Sequence, residues 1–312
     1  MKILITGGSG FLGRNLVERL VGHGHELSCL DRFEASFLRD FGVKMFQGDI
    51  YEKVLVDEAM AGQDIVIHMA CTVIPKTSND DPYFDVMSNI GGAIHLLEAA
   101  VANKVRRFVF LSSGGTVYGS PQSTPISESH PTNPECSYGI TKLTIEKYLD
   151  LYHKLHGIST CSIRLANPYG EHQRFIAAQG AIPVFCYKAL KGEPIEIWGD
   201  GSVRRDFVYV GDVVNAIVGA LDNIDVVGPL NIGSGESRSV NEILCIVEEL
   251  LGKPLNRKYL AGRCFDVPNN VLDISKAKAL LGWSPVVSLQ EGLKRTLSYV
   301  EGQMACANNG TR

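Results

Sequence analysis

Along the first half of the chain, short apolar, β-branched runs alternate with longer stretches in which apolar residues recur at helical spacing. KILIT (2–6), ELSCLD (26–31), VKMFQGD (43–49), DIVIHMA (64–70), RFVFLSS (107–113) and STCSIRLA (159–166) read as strands. Helical patterns fall between them near 11–23, 52–62, 82–103 and 135–156. Strands that are apolar throughout, rather than at alternate positions, are buried on both faces. The alternation therefore predicts an α/β protein with a Rossmann-type, doubly wound parallel sheet, binding ligands at the carboxyl ends of its strands.

After residue 167 the pattern changes. Pro and Gly punctuate NPYGEHQRF, KGEPIEIWGDGS and GPLNIGSGES, with helices expected near 180–191, 211–222, 239–251 and 288–301. DFVYV (206–210), its helix and PLNIGS (229–234) read as returns to the main sheet. The expected division is a dinucleotide-binding domain over 1–166 and 206–234, and a smaller, discontinuous substrate-binding region over 167–205 and 235–301. The last stretch, QMACANNGTR, lacks periodicity, so 302–312 is expected to be a flexible tail.

Composition narrows the class. A chain of 312 residues with 45% apolar content can bury a large core. Its net charge of -4, with no Lys/Arg stripe interleaved with aromatics, argues against a nucleic-acid partner. The 8 cysteines are scattered without a CxxC pair and read as thiols in a reducing compartment. No run approaches the roughly 20 apolar residues of a membrane span, and Met1 leads straight into a strand without a signal-peptide pattern. The cytoplasm is the expected location, and no metal site is expected.

TGGSGFLG (6–13) follows the first strand and opens a helix. Gly7, Gly10 and Gly13 suit a tight turn, close approach to a pyrophosphate and close helix–sheet packing, in a three-residue variant of the dinucleotide fingerprint. A purely structural turn is the alternative. Asp31 ends the second strand, where a carboxylate accepts from an adenosine ribose and repels a 2′-phosphate, which favours NAD; the neighbouring Arg32 weakens that exclusion. Asp49 in QGDI suits the adenine amino group, or is a solvated turn carboxylate. Phe11 and Leu12 of the glycine motif, Ile50 beside Asp49, and Met69 and Ala70 in HMAC complete the set expected to border the dinucleotide. His68 reads as a packed histidine. Asn89 either fixes a helix against the cofactor or fills polar space.

Tyr138 and Lys142 stand four apart in SYGITKLTIEKYL. Positions i and i+4 share a helix face, so an ammonium can lie near the phenol and favour its ionised form. Lowering the phenol from about 10 to near 7 asks roughly 4 kcal/mol of the surroundings. A chance Tyr-x3-Lys on a surface helix is the alternative.

Together these residues resemble the extended short-chain dehydrogenase/reductases, in their NAD-dependent nucleotide-sugar epimerase/dehydratase branch. The motifs that carry the resemblance are TGGSGFLG, Asp31, GD (48–49), SSGGTVYG (112–119), YGITK (138–142), RLANPYG (164–170), WGDGSVRRDFVYVGD (198–212), RCFD (263–266) and LGW (281–283). The resemblance implies a catalytic pair in Tyr138 and Lys142, with Lys142 also meeting the nicotinamide ribose. Tyr138 would take a sugar hydroxyl proton while hydride passes to NAD, and an epimerase would return the hydride to the other face of the keto sugar.

Aligned with that pattern, Gly114 stands where a Ser or Thr hydroxyl is usual. Ser113, Thr116 or a water in the vacated space is expected to supply the missing hydrogen bond. Gly115 and Thr116 also replace the Asp-Glu pair of sugar dehydratases, which disfavours elimination. On the substrate side the resemblance implies Asn167 and Arg205 (with Arg204 as its neighbouring alternative) and Arg263 at the diphosphate. It implies Asp266 at the ribose, GAIPVF (180–185) near the base and Asn270 limiting the sugar. The implied partner is a nucleotide-diphosphate sugar, processed at C4 by an epimerase. The alternatives are a 4-keto-sugar reductase and an NAD-responsive binding protein. The resemblance also implies a homodimer, formed through the helices near 82–103 and 135–156.

Overall fold

The structure, a computed structural model, describes residues 1–175, 180–262 and 267–309. Its first half runs β1 (Lys2–Thr6), α1 (Phe11–Leu20), β2 (Glu26–Asp31), α2 (Ser36–Asp40), β3 (Lys44–Gln47), α3 (Lys53–Met60), β4 (Ile65–His68), α4 (Pro82–Asp85), α5 (Gly91–Ala102), β5 (Arg107–Ser113), α6 (Ser137–His156) and β6 (Ser159–Leu165). A single π turn, Val86–Ile90, joins α4 to α5. The second half runs β7 (Asn167–Tyr169), α7 (Ala181–Lys191), β8 (Ile195–Trp198), β9 (Arg204–Tyr209), α8 (Val210–Asp222), β10 (Gly228–Ile232), β11 (Ser237–Ser239), α9 (Val240–Leu251), β12 (Arg257–Leu260), β13 (Asn269–Asn270), α10 (Ser275–Leu281) and α11 (Leu289–Asn309).

The main sheet has the order β10-β6-β5-β4-β1-β2-β3, and every pairing in it is parallel. Alternate residues of its strands feed two cores. Ile3, Ile5, Val109 and Ile163 pack with Leu16, Val213 and Ile217 on one face. Leu4, Val66, Phe108 and Phe110 pack with Leu96, Leu97, Ile145 and Leu149 on the other. Each fully buried side chain of this size is worth about 1.5–3 kcal/mol over its exposed state. Two-sided burial is the reason the strands are apolar at successive positions. The order reverses between β1 and β4, and a ligand crevice opens there at the carboxyl ends.

Two expectations are corrected. DFVYV does not return to the main sheet: β9 forms a second sheet, antiparallel to β11 and parallel to β13 and β7. The edge beside β6 is taken by β10, while α8, which follows β9, does pack back on α1, β5 and β6. The second correction concerns the carboxyl terminus, where α11 continues through Asn309 instead of fraying after 301. Gln303, Met304 and Ala305 are good helix formers, and Met304 packs against the third core of Tyr169, Phe185, Ile243, Leu293 and Val300. Among the described residues, no helix is long and apolar enough to cross a membrane.

Candidate active site

The glycine turn between β1 and α1 is closed by backbone contacts that side chains would block. Gly7 has φ 76°, and a Cβ there would lie 2.7 Å from the Ala70 nitrogen at the end of β4. A Cβ on Gly13 would meet the carbonyl oxygens of Gly7 and Gly8, both at 2.5 Å. Gly10 caps α1 without a side-chain hydrogen bond, so the first-turn amides of α1 face the crevice with their partial positive charge. Asp31 accepts from the Ser9 N–H through Oδ2 at 3.0 Å and from the Phe33 N–H through Oδ1 at 3.3 Å. Each carboxylate oxygen keeps further acceptor capacity. Arg32 lies over the Phe33 ring, 5.7 Å from its centroid, at the exposed rim.

Asp49 is fixed by the Tyr51 N–H on its Oδ1 at 3.0 Å, and Ile50 is buried. The Met69 N–H donates to Thr6 O at 3.1 Å, and the Ala70 N–H donates to Thr6 Oγ1 at 3.3 Å. The donors and the cradle thus fit a dinucleotide pyrophosphate at α1, with a ribose at Asp31. His68 is a packed histidine, as the sequence suggests. Its Nδ1 pairs with Thr6 Oγ1 at 2.8 Å and its ring stacks on Phe110. Burial, with the Lys142 charge behind it, pushes its pKa down to about 3.

Tyr138 and Lys142 occupy the first two turns of α6, beside the ends of β4 and β5. The ammonium donates to the Leu111 carbonyl at 2.8 Å. It lies 4.7 Å from the Phe110 centroid and 5.5 Å from that of Tyr138. The expected lowering of the phenol is not met by these residues. Burial holds the Tyr138 pKa well above 10, and Cys71, Cys136 and Asp85 raise it further. Lys142 is near the ring but spends one donor on Leu111, so a second positive charge is needed to make this tyrosine a base near neutrality.

The start of α6 is held by Asn79, Asp85 and Ser137, which sequence reading did not assign, together with Asn89, which it did single out. Ser137 Oγ donates to Asp85 Oδ2 at 2.7 Å, and the Ser137 N–H donates to Asn79 Oδ1 at 2.9 Å. Asp85 in turn accepts from Asn89 Nδ2 at 2.9 Å, and Asn89 Oδ1 accepts from the Thr72 N–H at 3.0 Å. Asn89 therefore ties the segment after β4 to the π turn. Two turns beyond Tyr138, Glu146 forms a buried pair with Arg164, Nη2–Oε2 2.6 Å, and accepts from Ser112 Oγ at 2.5 Å. A carboxylate on the face shared by Tyr138 and Lys142, one turn past the lysine, was the available signal for this pair.

At the end of β5 the space beside Gly114 is not vacated. A Cβ there would fall 2.5 Å from Leu272 Cδ1, which corrects the expectation of a water at that place. Ser113 is half-buried, and Thr116 Oγ1 is buried without a hydrogen-bond partner.

On the substrate side, Asn167 Nδ2 donates to Asp206 O at 2.9 Å. The neighbouring arginines divide: Arg204 pairs with Glu242 at 2.8 Å, whereas Arg205 donates to Val267 O at 2.6 Å, next to the RCFD segment. Arg263 and Asp266 lie outside the described residues. Asn270 is buried opposite Arg205 in the β13–β9 register.

Comparison with known proteins agrees with this arrangement. A UDP-glucose 4-epimerase of Mycolicibacterium smegmatis is 34% identical over 308 residues, covering 96% of this chain and 98% of that protein. A dTDP-4-dehydro-6-deoxyglucose reductase of Escherichia coli is 32% identical over 312 residues, covering 96% and 97%. Among solved structures, the Thermotoga maritima UDP-glucose 4-epimerase with UDP-glucose superposes with a TM-score of 0.92 at 32% identity, covering 97% of this chain and 100% of that one. The Thermus thermophilus UDP-glucose 4-epimerase complex with NAD gives 0.88 at 34% identity, covering 97% and 99%. Residues 3–233 match the NAD dependent epimerase/dehydratase family, and the chain belongs to that family.

Proposed function

We propose that this protein interconverts the C4 epimers of a nucleotide-diphosphate sugar, with NAD held at the β1–α1 turn throughout the cycle. The observation that carries the reading is the placement of Tyr138 and Lys142 on one face of α6, the ammonium 5.5 Å from the phenol ring, at the crevice formed by the ends of β1, β4 and β5. Bound there, NAD supplies the acceptor for the hydride leaving C4, its donor on return, and a cationic ring that favours the Tyr138 phenolate. Tyr138 takes the C4 hydroxyl proton at its phenolic oxygen and returns it once the keto sugar has turned over. The mass and oxidation state of the sugar are unchanged. Lys142 orients the nicotinamide ribose and adds positive charge beside the phenol. Asn167 and Arg205, together with Arg263 and Asp266, hold the nucleotide.

The second reading, a reductase of a nucleotide-linked 4-keto sugar, is favoured by the similarity to the E. coli reductase. Incubation with UDP-, dTDP- and GDP-sugars, with and without NADH, separates the two. Turnover without added NADH and a product of unchanged mass support the epimerase, and a product two hydrogens heavier, formed only with NADH, supports the reductase.

The reading includes a homodimer. Tyr83, Phe84, Val86, Met87, Ile140 and Leu155 are large apolar residues exposed on α4, the π turn and α6, and apolar exposure of this kind marks an interaction face. α4 and the π turn pack against α6 and against each other, so a second copy meeting this face would cover apolar residues from all three elements. Light scattering at the monomer mass would refute it. The free thiols Cys29, Cys71, Cys136, Cys161, Cys186, Cys245 and Cys306 support a reducing, cytoplasmic location.

A further inference from the structure

Gly114 stands where the related enzymes' pattern places a hydroxyl side chain, and its surroundings are closed. Besides Leu272 Cδ1 at 2.5 Å, a Cβ there would meet Leu272 Cδ2 at 3.0 Å and the Arg164 carbonyl oxygen at 3.1 Å. Gly114 cannot move aside, because its N–H donates to Leu165 O at 2.8 Å in continuation of the β5–β6 ladder. Leu272 is equally constrained. It is fully buried, and its N–H donates to Asp206 Oδ2 at 3.2 Å. Its neighbours are clamped to the segment before α6 through Ile126 N–H to Val271 O and Asp273 N–H to Ile126 O, both 2.8 Å.

Thr116, two residues on, carries a buried hydroxyl with no hydrogen-bond partner among the described residues. Such a group is costly unless a ligand satisfies it. Its main chain abuts the first turn of α6: a Cβ on Gly139, the residue after Tyr138, would lie 2.8 Å from Thr116 O. Thr141 Oγ1, within α6, also lacks a partner, and that residue is only 2% exposed. Ser113 is half-buried, so solvent can satisfy its hydroxyl.

We propose that Gly114 and Leu272 form one packing exchange, with Leu272 filling the space of a side chain at 114, and that Thr116 Oγ1 hydrogen-bonds the reacting sugar oxygen in its stead. Leu272 is then a positioning residue, which makes glycine obligatory at 114 and transfers the hydrogen bond to Thr116. The Thr116 role rests on the epimerase reading above, and the packing exchange stands independently of it.

The test uses the full chain loaded with NAD. Melting temperatures of Gly114→Ser, Leu272→Ala and the double variant form a cycle. Both singles should melt lower than wild type, and the double should lose clearly less than the sum. Thr116→Val should lower kcat for UDP-glucose by roughly 10²-fold, as loss of a transition-state hydrogen-bond donor does, with KM little changed. In the Gly114→Ser/Leu272→Ala background, the same Thr116→Val change should cost less than about tenfold, because the hydroxyl introduced by Gly114→Ser replaces the lost donor; a structural role for Thr116 would give no such rescue. Additive melting shifts would overturn the packing exchange. An equal loss from Thr116→Val in both backgrounds, or a negligible loss in wild type, would overturn the Thr116 role. If wild type turned over no nucleotide sugar, the substrate reading and the Thr116 role would fall together, while the melting cycle would still decide the exchange.

Discussion

Replacing Glu146 by Ala is the perturbation whose cost follows most directly from the geometry. The side chains of Arg164 and Glu146 are 4% and 6% exposed. Arg164 meets the carboxylate three times, through Nε at 3.1 and 3.2 Å and Nη2 at 2.6 Å, and Ser112 Oγ adds a fourth contact at 2.5 Å. Near a protein surface two charges about 4 Å apart attract by about 4 kcal/mol, and removing one partner of a buried pair typically costs 3–5 kcal/mol because the other is left buried and uncompensated. Arg164 would keep Tyr118 OH on Nη1 at 3.0 Å and Glu128 O at 3.4 Å, so the lower end, about 3 kcal/mol, is expected.

Urea unfolding of the Ala variant, followed by circular dichroism, measures the loss. Glu146→Ala/Arg164→Ala should fall well short of the two single losses added together, since the uncompensated charge is then absent. Because Glu146 lies one turn beyond Lys142 on α6, kcat should fall along with stability. A loss under about 1 kcal/mol in the single variant, the value of a solvent-exposed pair, would refute the reasoning.

Three further outcomes follow from the site. Tyr138→Phe should lower kcat by about 10²–10⁴-fold with nucleotide-sugar affinity retained, checked by turnover and calorimetry, since a positioned acid/base contributes on that scale. Gly13→Ala should abolish tight NAD binding and lower the melting temperature, because its Cβ would fall 2.5 Å from two carbonyl oxygens; normal NAD titration would contradict this. The pH dependence of stability should carry the signature of His68, whose folded pKa of about 3 lies below its ordinary 6.5. The unfolded chain takes up this proton first, so the contribution is complete above about pH 6.5 and is lost as pH falls towards 3, at up to about 1.4 kcal/mol per pH unit. In His68→Asn that part of the slope should disappear from urea unfolding at pH 7, 6 and 5.

Much of the dinucleotide half was legible in the chain because its signals are local. Two-sided burial writes continuous apolar strands, a tight turn demands glycine at positions 7 and 13, and helical spacing puts Tyr138 and Lys142 on one face. The rest depends on long-range contacts. Leu272 reads as an ordinary core leucine, and only the fold brings it beneath Gly114, more than 150 positions earlier. The Tyr138 pKa runs upward chiefly because the fold buries the phenol, with Cys71, Cys136 and Asp85 adding to it, and spacing along α6 does not reveal that burial. β9 reads like a strand of the main sheet because its pattern reports burial, not which neighbour it pairs with. Likewise α11 runs past residue 301 because Gln303, Met304 and Ala305 favour helix and Met304 still reaches the third core.

The central claim is an epimerase in which Tyr138 lends and recovers one proton while NAD is conserved. Proton NMR of UDP-, dTDP- and GDP-sugars incubated with purified protein and NAD, without added NADH, tests it most directly. The account predicts appearance of the anomeric signal of the C4 epimer of one of these sugars, approach to the same equilibrium ratio from either epimer, and loss of that conversion in Tyr138→Phe. Unchanged spectra across the panel, alongside NADH consumption when a 4-keto nucleotide sugar is supplied, would contradict it.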